Sequence, residues 1–405
     1  MLLISKKNLI LRLKLEKTKM RKYLFLLLSA FMFLKVSAQS DTNDLKISVL
    51  TCARGQMIYE SFGHCAFRVQ GDSGRIDRVY NYGTFKFNTP FFVIKFVRGF
   101  LDYYLSAYDY RRFFLEYKHD GRDVYEQVLD LSAEDRQAVF DYLEWNALEQ
   151  NRYYKYNFLE DNCATRIRDC IEKVCGNSVV FPNGKYDFTL RESINNRLVD
   201  MPWYRLGVNI LMGLPVDRIA DSRSAMFLPD YIFTILNETY LVSDGEKKKI
   251  VGQSNPLLKF ETPVNRTDFT THCSPALVFW ILFVVWAMIT IIEIKSGKVH
   301  RFCDSLLLFL SGLLGVVFIF MWFFTEHTVT AWNLNLLWAL PSHLVAAFMT
   351  RSKKLFWQKY FIIASVFTLI VLISTPILPQ HFDVGVYPIM CMLIMCMARL
   401  VFFRR

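Results

Sequence analysis

The sequence contains no Cys-x-x-Cys pair and no cysteine–histidine spacing typical of a metal site, although it has nine cysteines among 405 residues. Zinc is therefore a poor interpretation of these cysteines, and we expect neither a metal nor another cofactor. Histidine is also scarce, with seven residues in the whole chain. A catalytic histidine base consequently has few candidates, and each can be weighed individually.

Charged residues are few, at 21% of the chain, whereas hydrophobic residues reach 53%. This composition is too apolar for an ordinary soluble protein, and the apolar residues are concentrated near the N-terminus and after residue 273. The net charge of +11 would suit nucleic-acid binding, but most of the basic excess flanks the apolar runs. We therefore expect no nucleic-acid partner. We also expect the chain to have two parts, one surrounded by water and one by lipid.

Residues 1–38 are predicted to be a secretory signal peptide. A basic segment precedes the apolar run from Tyr23 to Leu34, and Ala38 ends a small-residue cleavage site. Met20 has the character of the true start. The run is too short for a stable membrane span, although an uncleaved anchor remains the alternative. Residues 39–272 are therefore expected to form an exported domain.

Five apolar stretches after Cys273 are each long enough to span a bilayer, which needs about 20 residues. We place the spans at Ser274–Ile294, Ser305–Phe324, Ala331–Thr350, Phe356–Leu378 and Val386–Phe403. The first and third connections and the C-terminus carry Lys and Arg, whereas the second and fourth connections carry neither. The positive-inside rule then predicts a multi-pass inner-membrane protein with a cytoplasmic C-terminus and a periplasmic exported domain. The bilayer is a predicted partner of residues 273–405.

One cysteine lies on the first turn of a predicted helix, in Asp161-Asn162-Cys163-Ala164-Thr165-Arg166. Asn162 is a good N-cap, and apolar residues recur at helical spacing until Gly176 ends the helix. The positive end of the helix dipole lowers the pKa of a thiol, and unpaired N–H groups can hold an oxyanion. Cys163 is therefore a candidate nucleophile. The alternative is a small core residue that happens to begin a helix.

A cysteine nucleophile needs a nearby base, and His64 is the best-placed histidine. It begins a predicted strand, and Gly63 before it lets the chain approach closely. The other two histidines before the membrane domain are less suitable, because His119 lies in a predicted solvated hairpin turn and His272 at the membrane edge.

The order of these elements indicates an α+β domain. Strands are predicted at residues 45–51, 64–70, 75–82 and 124–131, and helices at 89–104, from Ser132, and from Cys163, with loops and short helices over 177–240. A histidine on a strand precedes a cysteine at a helix start, which reverses the order in papain and suggests a circularly permuted papain-like fold. A third polar group usually orients the base. The next strand offers Asn81, with Tyr82 as its competitor, and either is equally explained as an ordinary sheet residue.

Two further clusters have alternative interpretations. The aromatic helix from Phe91 to Tyr104 is either ordinary core, an acyl-chain groove, or a helix that rests on the bilayer. Asn333 and Asn335 place amides at membrane depth, which indicates a functional cavity or interhelical hydrogen bonds, and we favour the cavity. By the predicted topology, both asparagines lie on the same side of the membrane as Cys163.

Taken together, these motifs resemble the Lnb family of bacterial lipoprotein N-acyltransferases. The residues that carry the resemblance are Phe62-Gly63-His64, Val79-Tyr80-Asn81-Tyr82-Gly83-Thr84-Phe85, Asp161-Asn162-Cys163-Ala164-Thr165-Arg166 and Trp332-Asn333-Leu334-Asn335. The resemblance implies a permuted papain-like (NlpC-type) exported domain followed by a transmembrane domain, with His64 as base and Cys163 as nucleophile. One departure is Cys65, where a small hydroxyl residue is expected, and it adds a second thiol beside the base.

The reaction that the resemblance implies moves an acyl chain from a membrane phospholipid, through a Cys163 thioester, to the α-amine of a diacylated lipoprotein. We expect five further residues to contact the substrates: Asn162, Arg166, Tyr82, Asn333 and Asn335. Two alternatives remain open, namely a membrane-tethered cysteine peptidase or amidase that acts on cell-wall peptides, and a membrane scaffold without enzymatic activity.

Overall fold

The computed structural model describes residues 45–243, 245–261 and 273–403. The predicted signal peptide and His272 lie outside these residues. Within the described parts, an N-terminal domain of mixed sheet and helix is followed by an apolar helical domain that begins at Pro275.

The N-terminal domain is built on a seven-stranded antiparallel sheet. Its strands are β1 (Lys46–Cys52), β2 (His64–Gly71), β3 (Ile76–Thr84), β4 (Asp102–Asp109), β5 (Val124–Leu129), β6 (Tyr153–Lys155) and β12 (Val251–Leu258). The strand order is β12-β5-β1-β2-β3-β4-β6, so β2 and β3 lie in the centre. Two small sheets contain β7 (Val179–Val180), β8 (Lys185–Thr189), β9 (Ile219–Asp221), β10 (Tyr240–Ser243) and β11 (Glu246–Lys249).

Helices cover both faces of the large sheet. They are α1 (Phe92–Arg98), α2 (Tyr110–His119), α3 (Ala133–Ala147), α4 (Cys163–Cys175), α5 (Leu190–Arg197), α6 (Pro202–Leu211), α7 (Ser222–Ala225) and α8 (Pro229–Glu238). Side chains alternate along β2, because successive strand residues point to opposite faces. Phe67 packs against α3, α4 and α8 on one face. Ala66 packs against Phe113 and Tyr117 of α2 on the other.

The local predictions for this domain hold for the four predicted strands but are wrong for the end of the aromatic helix and for the hairpin turn at His119. The four predicted strands and the N-cap at Ser132 are confirmed, with bounds that differ by one or two residues. The aromatic helix does not continue to Tyr104, because Gly99 adopts a left-handed conformation that ends α1 at Arg98. Tyr104 lies instead on β4. His119 is the last residue of α2 and not part of a hairpin turn.

The C-terminal domain contains three helices that are long and apolar enough to cross a membrane. They are α9 (Pro275–Ser296), α10 (Phe302–Phe323) and α12 (Leu355–Ser374), and α13 (Val386–Phe402) is apolar but shorter. The predicted count of five continuous spanning helices is therefore not confirmed for the described residues.

The predicted third span, Ala331–Thr350, is not one helix. It consists of a 3₁₀ turn at Leu334–Leu337, the short helix α11 (Ser342–Ala346) and a second 3₁₀ turn at Ala347–Met349. Proline at 341 lacks the N–H that a continuous helix would need there. The segment nevertheless lies along α10, since glycines 312 and 315 on α10 leave no room for a Cβ against its backbone. We name residues 324–350 the broken segment.

A cluster of buried charges joins three helices of this domain. Arg399 on α13 donates to Glu293 on α9 at 2.5 Å and lies 3.3 Å from Asp304 on α10. All three side chains are buried, and two carboxylates with one guanidinium form a compact ion network. Isolated buried charges are costly, so mutual neutralisation holds the neighbouring ends of these three helices together.

The two domains meet where α6 reaches the broken segment. The Asn333 amide donates to the carbonyl oxygens of Ile210 and Leu211, at 2.8 and 3.1 Å, and so caps the C-terminal end of α6. The Gly213 N–H donates to the Val329 carbonyl at 2.9 Å. Asn209 donates to Asp383 in the connection between α12 and α13. The connections without Lys or Arg are therefore the ones that contact the N-terminal domain.

Replacing Asn333 with Leu is expected to destabilise this contact between the domains. The Leu211 carbonyl of α6 would lose its donor inside a buried interface, which costs about 1–3 kcal/mol, and the Ile210 carbonyl would keep only Asn335. Thermal unfolding of the full-length protein in detergent should show a lower midpoint for Asn333→Leu. The exposed control Asn177→Leu should match the wild type. Equal midpoints for all three proteins would contradict this role of Asn333.

Candidate active site

Cys163 is the first residue of α4, as the sequence predicts, and Asn162 is the N-cap. The Asn162 side-chain oxygen accepts the N–H groups of Ala164 and Thr165 at 2.8 and 2.9 Å. Its NH₂ group donates to the carbonyls of Phe158 and Phe227 at 2.7 and 2.9 Å. All hydrogen-bonding groups of this amide are used, so Asn162 fixes the start of the helix and has none left for a substrate.

His64 begins β2 close to Cys163, and Gly63 makes this position possible. Gly63 has a φ of +77°, and a Cβ at this residue would lie 2.8 Å from the carbonyl oxygen of Cys52. Only glycine combines that backbone conformation with so close an approach. The His64 ring hydrogen-bonds with the Cys163 thiol across the end of the sheet.

Asn81 is the polar residue that contacts the imidazole from the other side. Its side-chain oxygen forms a hydrogen bond with Nε2 of His64, and its NH₂ group donates to the Tyr108 hydroxyl at 3.1 Å. Since Nε2 is engaged, Nδ1 is the ring nitrogen that remains for the thiol. Tyr82 points to the opposite face, where its hydroxyl donates to Asn146 at 2.7 Å. Asn81, and not Tyr82, therefore orients the ring.

The thiol and the imidazole stabilise each other's charged forms. Burial raises the pKa of Cys163, but the charge and hydrogen bond of His64, with the N–H groups of Cys65 and Ala164, outweigh it and lower the pKa from its ordinary 9.0. Burial lowers the pKa of His64, but Cys163 and the hydrogen bond to Asn81 outweigh that effect and raise the pKa from 6.5. The pair therefore favours thiolate and imidazolium.

The other buried thiols of this domain have raised pKa values. Burial raises the pKa of Cys52 and of Cys175 to about 12. Burial also raises the pKa of Cys65 and of Cys170 above the ordinary value. The Cys65 side chain lies in the core, with its sulfur 3.9 Å from the Pro229 carbonyl. Among these buried thiols, Cys163 is the one whose environment favours the thiolate.

Cys163 opens into a cavity of about 430 Å³ that also exposes His64 and Asn81. Aromatic residues are the largest group in the lining: Tyr59, Phe62, Phe85, Phe87, Phe96, Tyr103, Tyr117, Tyr156, Phe158, Tyr204 and Phe227. The charged lining residues are Glu60, Glu116 and Arg122, and Arg122 pairs with Glu60 at 3.2 Å. A second groove, of about 540 Å³ between α12 and α13, contains neither thiol nor imidazole. Of the two, the cavity at Cys163 is thus the one that joins a thiol of lowered pKa to an apolar space.

Two hydrogen-bond donors beside the thiol were not identified from the sequence. Within the described residues, the backbone N–H of Cys163 has no acceptor, because Asn162 caps only the next two N–H groups. The Tyr156 side chain lines the same cavity, 3.9 Å from the position of a Cβ on Gly83. Its hydroxyl has no hydrogen-bond partner in the parts of the chain described here. The only sequence signal for Tyr156 is that a tyrosine precedes the start of α4 by six to eight residues.

The remaining residues expected to contact substrate lie away from the cavity lining. Arg166 forms a two-point ion pair with Asp161 at 2.6 and 2.8 Å and stacks on Tyr154. Tyr82 is buried in the core. Asn333 and Asn335 donate to the Ile210 carbonyl of α6. The two membrane asparagines therefore form hydrogen bonds between the domains, and the expected polar cavity next to the thiol is absent around them in the described residues.

Comparison with known families agrees with this division into two domains. Residues 33–195 match the family model of the Lnb N-terminal periplasmic domain, and residues 266–405 match that of the Lnb transmembrane domain. The chain is therefore a membrane protein with a periplasmic N-terminal domain and a helical membrane domain. It belongs to the Lnb family. No curated protein and no solved structure matches the chain significantly.

Alkylation of Cys163 by iodoacetamide should reach half its maximal rate below pH 9.0, since its pKa is lowered from that value. In His64→Ala the largest favourable contribution is lost and burial dominates, so the half-maximal pH should rise above 9.0. The rates are measured on the full-length protein by mass spectrometry of the Cys163 peptide. Cys170, on the same helix, is the internal control and should not react in this range. Superimposable profiles for wild type and His64→Ala would refute the pairing.

Proposed function

We propose that the protein is a lipoprotein N-acyltransferase, in which Cys163 takes an acyl chain from a membrane phospholipid and passes it to a lipoprotein amine. The observation that supports this most is a thiol with a lowered pKa that opens into an aromatic cavity, in a domain hydrogen-bonded to a membrane domain. Phospholipids and lipid-modified N-termini are both confined to the bilayer, which explains why such a site is attached to membrane helices.

The first step forms a thioester. The Cys163 thiolate attacks the carbonyl carbon of a phospholipid ester, so that an S–C bond forms and the C–O bond of the ester breaks. His64 gives its proton to the departing alkoxide, and a lysophospholipid leaves. Asn81 holds the imidazole in the tautomer and orientation that this transfer needs.

The second step transfers the acyl chain to nitrogen. The neutral α-amine of a diacylated lipoprotein attacks the thioester carbonyl, the C–N bond forms and the C–S bond breaks. His64, now neutral, takes the proton released by the amine. This restores the thiolate–imidazolium pair. A thioester suits the step because an amine attacks it more readily than it attacks an oxygen ester.

Both steps pass through a tetrahedral oxyanion that needs hydrogen-bond donors. The N–H of Cys163 is unused and lies at the positive end of α4. The Tyr156 hydroxyl is a side-chain donor in the lining of the same cavity. We assign these two groups to the oxyanion, in place of the several first-turn N–H groups expected from the sequence.

The proposal includes the fold type and the topology. The order of His64 on a central strand before Cys163 at a helix start agrees with a permuted papain-like arrangement. The broken segment extends from the contact with α6 to Thr350, which hydrogen-bonds with Ser305 at the other end of α10. If the broken segment counts as one passage, the domain crosses the inner membrane five times. The catalytic domain then lies in the periplasm and the C-terminus in the cytoplasm.

A membrane-tethered peptidase or amidase is the second candidate, because it would use the same pair of residues. The charged residues Glu60, Arg122 and Glu116 in the cavity lining are the observation that favours it. The eleven aromatic residues of the lining favour a lipid. Incubation with cell-wall peptides and with phospholipid vesicles, followed by mass analysis of the products, distinguishes the two.

Cys163→Ser is expected to abolish N-acylation, because the serine hydroxyl is not ionised beside His64. Mass spectrometry of lipoprotein N-termini, from cells in which this protein is the only candidate enzyme, should then show free α-amines. The matched control is Cys65→Ser, a buried thiol outside the cavity lining, which should retain transfer. Full N-acylation with Cys163→Ser, or its loss only with Cys65→Ser, would show that another group is the nucleophile.

Tyr156→Phe is expected to lower the rate of thioester formation by about 100-fold, the effect of losing one oxyanion donor. The ring is kept, so packing against Tyr103 should be unchanged. The rate is followed as acylation of Cys163 in the full-length protein by intact mass. Tyr103→Phe is the control, since it removes a hydroxyl from a neighbouring wall residue. A rate for Tyr156→Phe equal to that of the control would exclude this role.

A further inference from the structure

Helix α1 is apolar but buries none of its side chains in the protein. Five of its seven residues are apolar, and Val93, Ile94 and Phe96 are 68%, 58% and 49% exposed. Phe91 before the helix and Phe87 before that are 76% and 64% exposed. A contiguous apolar surface of this kind is uncommon on a soluble domain and needs something to cover it.

Two hydrogen bonds place α1 at the membrane boundary. The N–H of Glu326 donates to the Arg98 carbonyl at 3.0 Å, and the His327 ring donates to the Phe96 carbonyl at 2.9 Å. Helix α10, which is long and apolar enough to cross a bilayer, ends at Phe323. The backbone of α1 is therefore fixed to residues that follow the end of an apolar, membrane-length helix directly.

The charges on α1 also suit a lipid surface. Lys95 and Arg98 are the only charged residues of the helix, and both are basic. Basic side chains beside apolar ones are typical of helices that lie in the boundary between headgroups and acyl chains, where phosphates neutralise them. A bilayer leaflet is thus the occupant that satisfies both the apolar and the charged residues.

A continuous row of aromatic rings leads from α1 to the thiol. Phe96 lies 6.1 Å from Phe92, and Phe92 lies 6.0 Å from Phe85, measured between ring centroids. Phe85 is 5.3 Å from Tyr103, and Tyr103 is 4.6 Å from Tyr156 beside Cys163. Phe85, Phe96, Tyr103 and Tyr156 all line the cavity. An acyl chain that follows this row stays in contact with apolar side chains throughout.

We propose that α1 is inserted into the periplasmic leaflet of the membrane that the C-terminal domain spans, and forms the entrance through which the acyl chain of a membrane lipid reaches Cys163. The inference rests on the proposed function for the identity of the donor, but the insertion of α1 does not depend on it. Ile94, which faces outward, contacts the leaflet, and the rings from Phe96 to Tyr156 form the wall of the passage. The protein thereby takes its lipid sideways from the bilayer without exposing the chain to water.

Insertion is tested with the full-length protein carrying benzoylphenylalanine at position 94, reconstituted in vesicles of phosphatidylethanolamine and phosphatidylglycerol with radiolabelled acyl chains. Irradiation should attach labelled lipid at position 94. The control position is Leu148, an exposed apolar residue whose hydrogen-bond partners all belong to the N-terminal domain, and it should not be labelled. Absence of lipid at position 94, or a cross-linked second copy of the chain instead, would overturn the proposal.

Passage of the acyl chain is tested with two acyl donors, a membrane phospholipid that has to use the entrance and a water-soluble ester that does not. Ile94→Lys should slow acylation of Cys163 from vesicle phospholipid by about tenfold or more, since a lysine is costly among acyl chains. The same substitution should leave the rate of acylation by water-soluble p-nitrophenyl butyrate within about twofold of the wild-type rate. Leu148→Lys should change neither rate. Equal losses with both donors would overturn the proposal. Failure of wild type to acylate Cys163 with either donor would instead refute the proposed function, while labelling at position 94 would still establish insertion.

Discussion

The candidate site depends on one buried amide, that of Asn162. It accepts two N–H groups of α4 and donates to the carbonyls of Phe158 and Phe227, whose rings form part of the cavity wall. One side chain therefore fixes the start of the Cys163 helix and the aromatic wall beside it together. Because the next two N–H groups are taken, the N–H of Cys163 is left for chemistry. A helix start with a different cap would move the sulfur and that free donor at the same time.

The position of the site relative to the membrane domain depends on a second set of amides. Asn333 caps the end of α6, and the Arg191 guanidinium beneath it binds Asp217 and the Asn209 carbonyl. Leu206 of α6 packs into the core of the membrane domain. Helix α6 is thus shared between two hydrophobic cores, which fixes the N-terminal domain against the membrane domain.

Local sequence patterns were sufficient for the groups that local structure positions. The N-cap at Asn162, the thiol at a helix start and the histidine at a strand start are all determined by a few neighbouring residues, and the structure has each of them there. The choice between Asn81 and Tyr82 depends on which of them lies on the same face of the sheet as His64, and the register between β2 and β3 decides this. Tyr156 could not be recognised because its place beside Cys163 follows from the pairing of β4 with β6.

The predictions that were wrong also have physical causes. The extension of α1 to Tyr104 neglected the left-handed Gly99, which a C-cap reading would have detected. The asparagines of the broken segment were expected to line a cavity, since polar groups at membrane depth need partners. Their partners are carbonyls of α6, more than a hundred residues earlier in the chain, and no local pattern reveals them. The five apolar stretches have the length of spans, but the third contains a proline and two asparagines that break the helix.

The ion network of the membrane domain has a consequence for biogenesis. Glu293 and Asp304 belong to the first two membrane helices, whereas Arg399, which contacts both carboxylates, lies on the last helix. Asp304 has a second partner close in sequence, since Arg301 lies 3.9 Å from it, but the arginine that pairs with Glu293 is Arg399. During synthesis Glu293 is therefore made 106 residues before its arginine partner. A chain that stops before Arg399 leaves the buried Glu293 without that partner, which makes the last helix a checkpoint for the assembly of the whole domain.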